Sequence, residues 1–308
     1  MQVILGIIYH TIGGISSGSF YMPYKKIRGW AWESFWLFGG LFSWLIVPFI
    51  AAWLTIPYYQ DIISQADGDV KQFTYLMGLL WGIGGLTYGL GVRYLGMSLG
   101  NSVVLGFCSA FGAIVPSVYY AIYPVEGKTS IVQSVEEFHL VKGLTIAVIS
   151  GILSSFFNFG IEAGKPMAEQ AVANGANPLF QNNVTYIVVL WGGLTTNFLW
   201  CAWLMWKNKT FTDFGKAGAP NGKNALYASF AGTLWFLQFF FYGMGESRLG
   251  NGASSWILHM ATIILTANLW GVWLKEWSGV SDRTRRTFLI GLGLIFASIF
   301  LVGIGNAI

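Results

Sequence analysis

Three ionisable residues sit where an apolar chain has no ordinary use for them. His10 lies inside IIYHTIGG (7–14), His259 inside WILHMAT (256–262) and Glu162 inside FNFGIEAGK (157–165). An ionisable side chain within a membrane-spanning stretch is costly enough to be a functional candidate by default. Histidine, with an ordinary pKa of about 6.5, can take up and release a proton in the physiological range. The competing reading is a neutral imidazole bonded to a backbone carbonyl. Glu162 is four residues after Asn158 and three before Lys165, so the three share one helical face. It is either a proton carrier or half of an ion pair with Lys165. Glu246, two residues before Arg248 at the end of its run, reads as a loop pair.

A second group offers hydrogen bonds and aromatic faces. Trp235, Gln238 and Tyr242 follow an i, i+3, i+7 spacing and form one stripe. Trp81 and Tyr88 repeat the spacing of Trp235 and Tyr242 earlier in the chain, and Trp256 shares a face with His259. Gln238, Asn158 and, more weakly, Asn197 are amides that need partners in apolar surroundings. Convergent polar groups between aromatic walls suit a small polar ligand. With 15 Trp and 24 Phe, any single aromatic more often packs or meets the lipid interface. A helix–helix hydrogen bond is the plain alternative for each amide.

The elements that position these residues follow from composition. Of 308 residues, 55% are apolar and 10% charged, against about 25% charged in soluble domains. Nine apolar runs reach the roughly 20 residues that cross a bilayer core. They lie near 3–23, 34–57, 73–92, 98–123, 143–162, 184–206, 225–245, 254–274 and 288–307. The expected fold is an all-α polytopic membrane protein with lipid as its surroundings. The net charge of +4 sits in short connections between runs, which marks membrane topology and not nucleic-acid binding. The first run is followed, not preceded, by Lys25, Lys26 and Arg28, unlike a cleavable signal. Cys108 and Cys201 have no ligand-like spacing, so no disulfide, metal or cofactor is expected.

The chain repeats itself. YGLGVRYLG (88–96) returns as YGMGESRLG (242–250), FGGLFSW (38–44) as WGGLTTN (191–197), and GGISS (13–17) as GILSS (151–155). Ordered matches indicate two related halves: 1–123, and 143–308 after a polar linker, 124–142. Equivalent connections carry opposite charge. Segment 24–33 holds Lys25, Lys26 and Arg28, while 58–72 holds three Asp against one Lys. In the second half, 163–183 has Lys165 against Glu169, whereas 207–223 has four Lys. Halves that lie inverted in the membrane, with a site between them, are a common secondary-transporter plan. Inversion requires an odd number of crossings in the first half, yet only four runs occur there. The place of the fifth holds Glu126, Lys128, Glu136, Glu137 and His139, too polar to face lipid as a helix. Either a helix is missing, or the linker threads along the protein, or one half defies its own charge bias.

Long ordered stretches carry a resemblance: SFYMPYKKIRGWAWES (19–34), WGIGGLTYGLGVRYLGMSLG (81–100), FNFGIEAGKPMAE (157–169), WFLQFFFYGMGESRLGNGASSWILHM (235–260), LKEW (274–277) and VGIGNA (302–307). The chain resembles the L-rhamnose–proton symporters of the drug/metabolite transporter superfamily. The resemblance implies ten helices in two inverted five-helix halves, of which this chain lacks the fifth. It also implies L-rhamnose and a proton as partners, a multi-pass place in the bacterial inner membrane, and a monomer or homodimer. His10, His259 and Glu162 then become candidates for proton coupling. Trp81, Tyr88, Asn158, Trp235, Gln238, Tyr242 and Trp256 become candidates for the sugar site. The rivals are the same fold moving another metabolite and a non-transporting sensor or inactive variant. A membrane enzyme has no loop long enough for a catalytic domain and no nucleophile–base constellation.

Overall fold

The structure is a computed structural model that describes residues 2–114 and 140–305. Among these, all regular structure is helical. The first span runs through α1 (Gln2–Ser19) and a short α2 (Tyr21–Tyr24). The second is α3 (Trp32–Leu41), a π-helical turn (Phe42–Ile46) and α4 (Val47–Thr55). Pro48 explains the π turn, because its ring displaces the carbonyl four residues back, that of Trp44. A short α5 (Tyr59–Gln65) leads into α6 (Gly68–Ile114). Then follow α7 (Leu140–Ala163), α8 (Lys165–Ala173), α9 (Asn183–Asn208), α10 (Asn221–Leu249), α11 (Gly252–Trp273) and α12 (Asp282–Gly305).

Seven helical stretches among the described residues are long and apolar enough to cross a membrane, and each coincides with an expected run. With so many helices of this kind, the chain is a multi-pass membrane protein. The remaining two runs, 73–92 and 98–123, both fall on α6, the second ending outside the described residues, as does most of the linker with Glu126, Lys128, Glu136, Glu137 and His139. α6 does not run straight. A methyl group placed on Gly91 would lie 3.3 Å from Val104, thirteen residues on, where a straight helix would separate them by about 20 Å. The Ser98 amide, freed at the reversal, donates to Glu276 (2.9 Å). The repeated phrase at 88–96 therefore ends in a fold-back, and its copy ends at Gly250, in the left-handed region at φ 66°.

Glycines set how closely the helices approach. At Gly39 and Gly232, α3 and α10 cross backbone to backbone; at Gly192 and Gly78, α9 and α6 do the same. Small residues at the contact let main chains meet and gain packing that lipid cannot supply. α1 lies on α10 and α11, and α7 lies on both limbs of α6. α12 is peripheral and presents Leu289, Ile290, Leu294, Leu301 and Ile304 outward.

The two ends of the bundle differ in chemistry. At one end the basic connections meet. Asp213 accepts from the Ala31 amide (2.7 Å) and Ser34 Oγ (2.8 Å), and buried Glu33 accepts from Asn208 and Thr210, both at 2.9 Å. Asn224 binds both the amide and the carbonyl of Arg28. At the other end, α5 with its Asp61 packs on α8 around Ile62, Met167 and Ala171. Basic and acidic connections thus lie at opposite ends.

Candidate functional site

α10 crosses from the basic end to the acidic end, and its buried stripe organises the interior. Trp235, Gln238, Phe239, Tyr242 and Glu246 succeed one another at helical spacing. Trp235 and Glu246 are eleven residues apart, about 16 Å along the axis.

Nearest the basic end lies a packed aromatic cluster. The Trp235 ring sits 4.1 Å from Phe20, 6.0 Å from Tyr88 and 6.3 Å from Trp36, centroid to centroid. Phe239 carries the wall onward, 5.7 Å from Trp81 and 4.2 Å from Phe157. The structure brings together Trp81, Tyr88 and Trp235, which lie on α6 and α10 and are far apart in sequence. The indole nitrogen of Trp235 is buried with no hydrogen-bond partner.

Deeper toward the acidic end the two histidines meet. The His10 and His259 rings are 5.7 Å apart, and Tyr242 lies 5.4 Å from the first and 5.3 Å from the second. Trp256 closes the group at 5.7 Å from Tyr242, and the Tyr242 hydroxyl reaches Asn158 Oδ1 at 3.4 Å. Glycines make room. A methyl on Gly245 would strike the His10 ring, and one on Gly13 would lie 2.9 Å from His259 Cε1. All four imidazole nitrogens are buried outside hydrogen-bond geometry with any side chain or carbonyl. Thr262 instead donates to the carbonyls of His10 and His259.

At the acidic end Glu162, Lys165, Glu169, Gln181, Asn182 and Glu246 line a recess of about 140 Å³. A methyl placed on Gly252 would lie 3.0 Å from Glu162 Oε1 and 3.5 Å from Glu246 Oε1, so both carboxylates face one point. Asn182 Nδ2 donates to Glu246 Oε2 at 2.6 Å.

Several sequence expectations change. Glu246 does not pair with Arg248: Arg248 Nη1 donates to Gln2 (2.9 Å) while Glu246 turns inward to Asn182. The helix continues to Leu249, so Glu246 is a helical residue and not a loop residue. Asn197 is committed elsewhere, accepting from Trp36 Nε1 (2.9 Å) and donating to the carbonyls of Gly193 and Gly82. Trp256 donates its indole N–H to the Cys108 carbonyl (3.2 Å), which leaves its ring, not its nitrogen, to the histidine group. Asn158, Glu162 and Lys165 do not share one helical face, because α7 ends at Ala163 and Lys165 opens α8 after Gly164; Glu162 and Lys165 still line the same recess. No local spacing marks Asn182 or Tyr186, because each lies at or in α9, far in sequence from Glu246.

Ionisable, amide and aromatic groups gathered between the spans of a many-helix membrane protein are what a solute transporter requires. The family follows from similarity along the whole chain. The model described as L-rhamnose-proton symport protein matches residues 1–130 and 115–308. The L-rhamnose-proton symporter of Pectobacterium carotovorum subsp. carotovorum (strain PC1) is 32% identical over 339 residues, covering 99% of this chain and 98% of that protein. Those of Escherichia coli (strain K12 / DH10B) and Cronobacter sakazakii (strain ATCC BAA-894) are each 33% identical with the same coverage. The chain belongs to the L-rhamnose–proton symporter family, a family of transporters and not of enzymes.

Proposed function

We propose that this protein imports L-rhamnose together with a proton across the bacterial inner membrane by alternating access. One observation supports this most: the aromatic cluster and the histidine group succeed one another along α10 in the interior, with side chains from α1, α6, α7 and α11 packed against them. Trp81, Tyr88 and Trp235 give faces for the apolar C–H surface and the methyl group of a 6-deoxy sugar. Gln238 and Asn158 serve its hydroxyls, while Tyr242 and Trp256 join the sugar site to His10 and His259. Proton coupling resides in His10, His259 or Glu162.

The inverted-repeat plan is supported by packing that survives exchange of the halves. The Gly39–Gly232 crossing of α3 with α10 corresponds to the Gly192–Gly78 crossing of α9 with α6. α1 on α10 and α11 likewise corresponds to α7 on the two limbs of α6. This gives nine spans, four in 1–123 and five in 143–308, with α12 the helix that has no counterpart. The family model matches in two stretches that overlap over 115–130. The basic end is cytoplasmic. A monomer or a homodimer is compatible with this plan.

The test is external pH around lightly buffered proteoliposomes on adding L-rhamnose, with L-fucose and L-mannose as comparisons. Alkalinisation by rhamnose, abolished by a protonophore, is expected. Silence with every sugar from folded protein overturns the reading.

A further inference from the structure

Trp30, Trp36, Trp256, Trp270 and Trp277 each donate the indole N–H to a side chain or a carbonyl. Trp44 and Trp235 do not: both indole nitrogens are buried with no hydrogen-bond partner. Buried tryptophans usually find an acceptor, and a buried donor without one is costly. The two open donors flank a single ring, since Trp44 and Trp235 each lie 6.3 Å from Trp36, centroid to centroid.

Trp44 belongs to the π-helical turn Phe42–Ile46, which packs on α9 and α10. A methyl placed on Gly40, one turn earlier, would strike Cζ3 and Cε3 of the Trp44 ring. That edge of the indole rests on its own helix. The nitrogen sits on the opposite edge and so faces away, toward the neighbouring spans. Ser43, beside it on the same turn, also has a buried hydroxyl with no partner. π turns recur at functional sites, and this one carries two polar groups whose bonds are left open.

We propose that Trp44 is a sugar-binding residue whose indole N–H, together with that of Trp235, donates to ring hydroxyls of the transported sugar. The proposal rests on the symport reading above and deepens it by naming a pair that sets specificity. The sugar enters as the rings around Trp36 part, and two of its hydroxyl oxygens supply the acceptors that the closed cluster lacks. An indole nitrogen is a donor only, so neither group can take up a proton. The pair serves the neutral solute and leaves coupling to other residues. Aromatic faces alone accept any apolar sugar face, whereas fixed donors distinguish hydroxyl positions. A site built to bond a hydroxyl rejects the analogue without it, because its buried donor then stays unpaired.

The test is rhamnose counterflow in proteoliposomes holding the full chain, competed by analogues of L-rhamnose that each lack one ring hydroxyl. Absence of counterflow in the wild type counts against the symport reading itself, on which this proposal rests. In the wild type, the analogue without the hydroxyl that Trp44 serves should compete roughly fivefold less well than rhamnose. Trp44→Phe keeps an aromatic ring and removes the N–H. It should weaken rhamnose by that factor and erase the preference over that one analogue, while the preferences over the others persist. Unchanged rhamnose affinity overturns the proposal. So does an equal loss for rhamnose and every analogue, which is the mark of a packing defect. Trp235→Phe covers the case where Trp44→Phe fails to fold. It should erase the preference at a different hydroxyl, and preferences that all persist overturn the pairing.

Discussion

Gly232→Ala tests whether glycine crossings hold the bundle together. The added methyl would land on the Gly39 carbonyl oxygen, 2.8 Å from the carbonyl carbon and 3.1 Å from Phe42 Cβ. Backbone cannot rotate away as a side-chain tip can, so α3 and α10 must separate. Overpacking costs roughly 1–3 kcal/mol, and a backbone obstacle places this site at the upper end. Alanine recovers about 1 kcal/mol in a helix through its better propensity. The net loss is then about 2 kcal/mol, or roughly 4–8 °C in melting temperature. Gly291 on α12 has nothing within 4 Å of its added methyl. Gly291→Ala therefore keeps only the propensity gain and should be neutral or slightly stabilising. Thermal unfolding in one detergent, read by size-exclusion recovery, compares the two. Gly78→Ala should behave like Gly232→Ala, because its methyl meets the Val189 carbonyl in the equivalent crossing. Equal melting temperatures for Gly232→Ala and Gly291→Ala would refute the close crossing.

Asp213→Asn should cost about 1–2 kcal/mol in the same unfolding assay, because the bonds from the Ala31 amide and Ser34 lose their charge assistance; an unchanged melting temperature would show that this clasp at the basic end carries no stability. Tyr242→Phe removes a hydroxyl whose bond to Asn158, at 3.4 Å, is long, so its stability should fall by under about 1 kcal/mol. Tyr242→Ala, which strips a ring from His10, His259 and Trp256, should cost roughly 3–5 kcal/mol. His259→Ala should abolish proton-coupled rhamnose accumulation, and accumulation at the wild-type level removes His259 from the coupling machinery. Gly252→Ala meets only flexible carboxylate tips, so its stability should stay within about 0.5 kcal/mol.

The spans were legible in the sequence because a bilayer imposes one strong rule: about 20 apolar residues per crossing. Seven stretches obey it in the described structure at the expected places. The histidine group was legible for the same reason. His10 and His259 are conspicuous in apolar runs, and the i+3 step from Trp256 to His259 places both on the face that meets Tyr242. Their mutual contact was not legible, because it depends on α1 crossing α11 through Gly13 and Gly14, and Gly13 looks like any other of 40 glycines until the His259 ring lies against it.

Glu246 shows where local spacing misleads. Two residues from Arg248 and near a glycine, it has the pattern of a surface loop pair. An i, i+2 separation on a helix, however, points side chains to different faces, and α10 stays helical through Leu249. Arg248 is therefore carried outward to Gln2 and Glu246 inward to Asn182. The fold-back at 95–98 misleads in the opposite direction, since the phrase that ends α10 at Gly250 ends the first limb of α6 with no intervening coil. In both copies the phrase's physical role is the same. It ends a helical limb, with Tyr88 and Tyr242 buried just before the turn.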